Sequence, residues 1–281
     1  LKRYFMKKLT YKPILAFVLI GLGITSCQKK YDASSYAPAL NIGGFTSTTE
    51  IAPSNLIAYW SFNGTLKDTL SGTAGTGTGT SFTTGFKGQA LQGGTGAYAV
   101  STTPDAVQSM TSFTTTAWIY SAQSVGATGI IDISNADEFW GNMTIFFENG
   151  STADKGVLKV HVKNDTKEAW LGNYDVQNAW NKWINIAVTY DETTSKFVIY
   201  VNGSKLAEQV VADFGAIHFK KAGKMAFGTL HFQTDPSLTS ATSKQDWAGY
   251  LLGQIDEVRI YNKALSANEV GALIKLEGRG K

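Results

Sequence analysis

The chain has 281 residues, enough for one large all-β domain or two small ones. Its 25 basic and 22 acidic residues give a formal net charge of +3, yet Lys2, Arg3, Lys7, Lys8 and Lys12 all sit in the first 26 positions, where there is no acid. Beyond them 20 basic residues face 22 acidic ones, a net charge of −2, so the basic footprint that nucleic-acid binding needs is missing.

From Pro13 to Ile24 every residue is apolar or glycine, and Ile24-Thr25-Ser26-Cys27 follows. A basic start, a short apolar stretch and small residues at its end predict a secretory signal peptide over residues 1–26. The apolar stretch is too short for a membrane-spanning helix, which needs about 20 residues. Ile24-Thr25-Ser26-Cys27 resembles the lipobox of bacterial lipoproteins, in which the cysteine is diacylated and becomes the new N-terminus. The alternative is an ordinary signal cleaved nearby, leaving Cys27, the single cysteine, as a free or intermolecularly paired thiol. The resemblance implies a lipid-anchored protein of the cell envelope, since acyl chains anchor through about 0.8 kcal/mol per buried methylene. Gln28 in place of Asp fits sorting to the outer membrane, and the side of that membrane stays open. Residues 27–53, rich in Ser, Thr, Ala and Gly, read as a flexible lipidated tether.

After the tether, short runs of β-formers recur between Gly, Asn, Asp and Thr. Leu56 to Phe62 is the first; Phe113 to Tyr120, Gly129 to Ile133 and Met143 to Phe147 follow. Leu158, Val160 and Val162 alternate with Lys159, His161 and Lys163, the pattern of a strand with one buried face. Ile184, Ile186, Val188 and Tyr190 likewise share a face within Trp183 to Tyr190. Phe197 to Val201 and Lys205 to Val211 are joined by Asn202-Gly203, a hairpin signal because both central residues of a type I′ turn need positive φ. One helix is predicted, at the end: Ser266 with Glu269 forms a capping box ahead of Val270, Leu273 and Ile274 at helical spacing. Many strands and one short helix predict an all-β fold, a β-sandwich or jelly roll.

Several segments together resemble the laminin-G-like domains of the concanavalin A-like lectin/glucanase superfamily. Leu56-Ile57-Ala58-Tyr59-Trp60-Ser61-Phe62-Asn63-Gly64 is similar to their opening strand, Gly88-Gln89-Ala90-Leu91 to "G-x-A-L", and Phe113-Thr114-Thr115-Thr116-Ala117-Trp118-Ile119 to "F-T-x-x-A-W". Trp183 to Asp191 with Tyr200-Val201-Asn202-Gly203 resembles the paired central strands, and Gly253 to Ser266 the closing strand and its run into the helix. The resemblance implies a concanavalin A-like jelly roll, a two-sheet antiparallel β-sandwich with a short C-terminal helix, over residues 54–277. It leaves function open, since the fold hosts lectins, adhesion modules and glucanases.

The resemblance also implies one structural calcium ion, held in relatives by an aspartate near the end of the first strand and the aspartate of the closing strand. Asp256 stands at the second position, Asn63 at the first, and Asp68 is a helper or a turn-former. The alternatives for Asp256 are a pairing with Arg259 or a loop hydrogen bond. Asn63 supplies a carbonyl oxygen but one negative charge fewer, which lowers affinity for a hard cation.

Glycoside hydrolysis needs two carboxylates about 5–5.5 Å or about 6.5–9.5 Å apart. The glucanase string E-x-D-x-x-E is absent; Asp132 with Asp137-Glu138 reads as a loop of solvated acids, and adjacent Asp256 and Glu257 on a strand would point to opposite faces. His161, His218 and His231 fall on predicted strands as half-buried residues without metal-ligand spacing, and Gly72 to Gly79 reads as a flexible loop. Of seven tryptophans, Trp60, Trp118 and Trp183 are expected in the core and Trp140, Trp170, Trp180 and Trp247 at loops or sheet rims. Trp140, Trp170 and Tyr174 are the candidate ligand-binding residues, because exposed aromatic faces stack on sugars and mark binding surfaces. The reading that results is a non-enzymatic, lipid-anchored binding module whose partner is a glycan or an envelope protein. The alternatives are a structural or protein-adhesion module and a divergent hydrolase.

Overall fold

A computed structural model describes residues 40–124 and 126–281. The predicted signal peptide, Cys27 and the first part of the tether lie outside the described residues. One compact unit spans Asn41–Lys281. Its strands are β1 (Leu56–Trp60), β2 (Gly75–Thr78), β3 (Ser81–Thr84), β4 (Gln89–Gln92) and β5 (Tyr98–Thr102). A one-turn helix, α1 (Asp105–Gln108), precedes β6 (Phe113–Ser121), β7 (Ala127–Ile133), β8 (Met143–Asn149), β9 (Gly156–Lys163) and β10 (Glu168–Val176). Then come β11 (Trp183–Asp191), β12 (Lys196–Val201), β13 (Ser204–Val210), β14 (Lys224–Phe227), β15 (Ala248–Gly249), β16 (Gly253–Tyr261) and the helix α2 (Ala267–Glu277).

The strands form two sheets that face each other, as the resemblance implied. The first runs β13-β12-β11-β6-β16-β4-β3, with β1 and β4 sharing one edge of β16. The second runs β10-β9-β8-β7-β14-β5-β2, and β15 adds to β7 in parallel. Strand alternation fills the space between them: Phe113, Ala117 and Ile119 with Ile184, Ile186 and Val188 from the first sheet, Met143, Ile145 and Phe147 with Leu158, Val160 and Val162 from the second, all buried. A core of this size is the main source of stability, at about 25 cal/mol per Å² of apolar surface removed from water.

The predicted turn and helix form as the local chemistry requires. Asn202 and Gly203 take φ of 50° and 76° between β12 and β13. Ser266 accepts from the Glu269 N–H and the Glu269 carboxylate from the Ser266 N–H, so both arms of the capping box close at the start of α2.

Three expectations are corrected here. The tether does not reach Pro53: Ile51 is buried, Asn268 Nδ2 donates to Gly43 O (2.8 Å) and Thr48 Oγ1 to Lys281 O (3.1 Å), so residues 41–53 pack on the C-terminal end of the chain. The glycine-rich run is no loop, because Gly75–Thr78 is edge strand β2, where a Cβ on Gly77 would lie 2.2 Å from Thr80 Oγ1. Trp180 is no rim residue, being buried in the core with its indole N–H donating to Lys155 O (3.1 Å). Among the described residues no helix is long and apolar enough to cross a membrane.

Candidate functional site

The outer face of the second sheet carries an open groove of about 480 Å³ lined by Trp140, Phe146, Glu148, Lys159, Trp170, Gly172, Asn173, Gln209 and Trp247. Alternation produces the floor: with Ile145 and Phe147 turned inward, Phe146 and Glu148 of β8 point out, as does Lys159 of β9. Trp170 of β10 and Trp247, just before β15, are 41% and 44% exposed, unusual for the largest apolar side chain. Trp140 sits between them, its ring 4.9 Å from Trp170 at 86° and 5.8 Å from Trp247. Behind it Phe146 stacks at 5.5 Å, and Phe232 and Leu230 close the cluster from below. The polar groups are the amides of Asn173 and Gln209 and the Lys159–Glu148 ion pair at 2.7 Å.

Two buried histidines hold the loop that presents Trp140. His231 Nε2 meets Glu138 O (3.3 Å) and His161 Nδ1 meets Gly141 O (3.0 Å), so the carbonyls on either side of Trp140 are both fastened. The remaining nitrogens face carboxylates: His231 Nδ1 lies 2.9 Å from Asp132 Oδ2, and His161 Nε2 lies 3.2 Å from Glu168 Oε2. All four ring nitrogens therefore face acceptors, which only the imidazolium satisfies in full. The two rings differ in charge balance. Burial pulls His231 down, but the buried Asp132 carboxylate outweighs it and holds its pKa above the ordinary value. At His161 burial prevails over the more exposed Glu168, and the pKa falls below the ordinary value. Gly141 is required here, because a Cβ would stand 2.0 Å from Asp132 Oδ1.

The predicted ligand-binding residues divide. Trp140 and Trp170 converge in the groove; Tyr174 does not line it. A β-bulge between Leu171 and Tyr174, with Asn173 at φ 61°, sets an extra residue against β9 and turns Tyr174 toward the core, opposite Leu158. Its hydroxyl reaches back only to Gln209 Oε1, at 3.4 Å. Trp247, Phe146, Lys159, Glu148, Asn173 and Gln209 were not singled out as a site. The available signals were the rim position expected for Trp247 and the polar face of the alternating strand around Lys159.

The histidine and acid expectations are also corrected. His161 and His231 are fully buried, His231 lies in a 3-10 turn (His231–Gln233), and His218 is exposed outside any strand. Asp132 is not solvated: it is buried on β7 and accepts from both the backbone N–H and Nδ1 of His231.

Asn63, Asp68 and Asp256, the residues expected to hold calcium, each accept backbone hydrogen bonds. Asp68 is buried and caps a turn, Oδ1 accepting from the N–H of Tyr59 (2.8 Å) and Leu70 (3.2 Å), and Oδ2 from Ser71 (3.0 Å). Asn63 Oδ1 accepts from Gln89 N–H (2.7 Å), and Asp256 Oδ2 from Lys87 N–H (2.9 Å), so these two clamp opposite sides of the β3–β4 turn. The loop-hydrogen-bond alternative for Asp256 is the observed one. Burial pushes its carboxyl up to about 7, and Asp256 Oδ1 accepts from Glu257 N–H. Among the described residues no cluster of three His, Cys, Asp or Glu side chains could hold a metal.

Asp256 and Glu257 do not point to opposite faces. A β-bulge at Glu257, φ 50°, brings both to the outer side of the first sheet, where both are buried. There Glu257 accepts from Tyr59 Oη (2.7 Å) and pairs with Arg259 (2.7 Å), which also pairs with Glu277 of α2. Trp118 stacks on Phe86 (3.5 Å, 12°) and its indole donates to Glu277 Oε2 (2.7 Å). This second aromatic and charged cluster is closed over by α2.

A laminin-G profile, described as the concanavalin A-like lectin/glucanases superfamily, matches residues 92–271. The chain belongs to this superfamily. No match is found among curated proteins. Solved structures with the same fold include the binding domain of Paraclostridial mosquitocidal protein 1, at 15% identity and a TM-score of 0.58 over 79% of this chain and 52% of that one. The botulinum neurotoxin DC binding domain in complex with rat synaptotagmin II gives 17% and 0.56 over 81% and 52%. Botulinum neurotoxin type C, described as depending for cell entry on two ganglioside molecules, gives 17% and 0.57 over 82% and 53%. The superfamily member described here spans about half the length of these chains, and at such identities the likeness is one of fold.

Proposed function

We propose that this superfamily member is a non-catalytic carbohydrate-binding module of the bacterial cell envelope, tethered by lipid at Cys27. The observation that carries the reading is the groove, where two indoles stay in water against an aromatic floor and beside two amides and an ion pair. Aromatic faces pack against the apolar faces of sugar rings, while amides and charges bond the hydroxyls. The groove lining holds a single carboxylate, Glu148, already paired with Lys159, whereas glycoside hydrolysis takes two acting in concert. Residues 41–53 and α2 pack on the outer side of the first sheet, the face opposite the groove.

Affinity electrophoresis through gels containing polysaccharides tests the reading. The chain is expected to be retarded by at least one polysaccharide, with Trp170→Ala abolishing the retardation while the variant stays folded. Free migration of the folded chain through every gel would overturn it. For the anchor, Cys27→Ala is expected to move the protein from the membrane fraction to the soluble one; unchanged fractionation would refute lipidation there.

A further inference from the structure

Three lysines on or beside β9 are paired with acids from other strands or loops. Lys159 meets Glu148 at 2.7 Å, Lys163 meets Glu138 at 2.7 Å, and Lys155 meets Asp175 at 3.0 Å. Of these pairs only Lys159–Glu148 lines the groove, with the side chains 25% and 37% exposed. Register explains the meeting: Lys159 lies opposite Phe146 and so diagonal to Glu148, and Gly172 leaves room for the lysine stem, a Cβ there falling 3.5 Å from Lys159 Cγ.

An ion pair at a groove floor is a particular kind of reader. The ammonium has three donors and no acceptor, and the carboxylate accepts only. With Oε2 engaged by Lys159, Glu148 Oε1 and two ammonium N–H groups remain for a ligand. Neighbouring hydroxyls on a sugar ring match that arrangement, one donating to Glu148 and the other accepting from Lys159. An anionic group would meet attraction from Lys159 and repulsion from Glu148 at nearly the same distance, so no net Coulombic gain offsets the cost of stripping water from its charge, a cost that a neutral sugar escapes.

We infer that the groove selects uncharged sugars, with the Lys159–Glu148 pair reading two adjacent hydroxyls and excluding uronate, sialate and sulfated sugars. The inference rests on the carbohydrate reading above, and the experiment separates the two. The full chain is run through gels containing neutral polysaccharides (dextran, xylan, galactan, a β-glucan) or acidic ones (polygalacturonate, alginate, heparin). The wild type is expected to be retarded by at least one neutral gel and by no acidic gel. Glu148→Gln leaves Lys159 uncompensated and is expected to gain retardation on an acidic gel, suppressed by salt, while losing at least tenfold on the neutral one. The swap Lys159→Glu with Glu148→Lys restores neutrality and is expected to reject acidic gels again, which guards against a folding defect in the single variant. Wild-type retardation by an acidic gel equal to that by a neutral one would overturn the selectivity alone, as would a Glu148→Gln variant unchanged on both. Passage of the wild type through every gel would overturn the carbohydrate reading beneath it.

Discussion

The outer faces of the two sheets carry the same kinds of residue and end in opposite states. On the first sheet Trp118, Phe86, Tyr59, Arg259 and two glutamates form a cluster sealed by α2, with the Trp118 indole N–H and the Arg259 guanidinium both turned onto acceptors. On the second sheet Trp140, Trp170, Trp247, Lys159 and Glu148 form a cluster that no helix among the described residues covers. Aromatic content alone therefore does not mark a binding site. A covering element turns such residues into structure, and its absence leaves them available to a ligand.

The largest effect is expected on the sealed face. Arg259→Leu leaves Glu257 and Glu277 buried without their partner, which costs about 3–5 kcal/mol. At roughly 2–4 °C per kcal/mol for a domain of this size, the melting temperature should fall by about 6–20 °C. Retardation by polysaccharide should survive wherever the variant is folded. A fall of less than about 2 °C by calorimetry would mean that the sealed cluster is not a structural unit.

The open face should behave the other way round. Replacing Trp170 and Trp247 together by Ala is expected to weaken polysaccharide binding at least tenfold, about 1.4 kcal/mol. The melting temperature should move by no more than a few degrees, since both side chains are substantially exposed. Equal losses of stability and binding would mean that the groove aromatics act as packing.

A smaller effect concerns the two histidines under the Trp140 loop, whose signs oppose. His231 has its folded pKa raised by Asp132, so its contribution is complete below its unfolded value near 6.5 and is lost as pH rises through the folded pKa. His161 has its folded pKa lowered by burial, so its contribution is complete above that unfolded value and is lost as pH falls through the folded pKa. Melting curves between pH 5 and pH 8 should show His231→Gln losing least, relative to wild type, at the alkaline end. His161→Gln should lose least at the acid end. Parallel curves for both variants would contradict the charge assignment.

The fold was legible because its signals are local and periodic. The alternation of Leu158, Val160 and Val162, the Asn202-Gly203 turn and the Ser266–Glu269 capping box each specify a conformation within a few residues. The site was half legible. Trp140 and Trp170 stood out by type and context, but Trp247 reaches the groove only through the tertiary placement of β15 beside β7. Two bulges account for misses elsewhere: one turned Tyr174 inward, and the other defeated the period-two reading by bringing Asp256 and Glu257 to one side. A one-residue insertion in register leaves no mark in an alternating pattern.

The seven tryptophans supply one probe of the whole account, since their indole N–H groups report separately from the core, the sealed face and the open face. The direct measurement is a titration of indole-¹⁵N tryptophan-labelled protein, followed by two-dimensional NMR, with oligosaccharides cut from the polysaccharide that retards it. Shifts confined to Trp140, Trp170 and Trp247, with Trp60, Trp118 and Trp180 unmoved, are the predicted result. Saturable shifts at Trp118 or Trp183 with the three groove indoles still would place the ligand elsewhere and contradict the account.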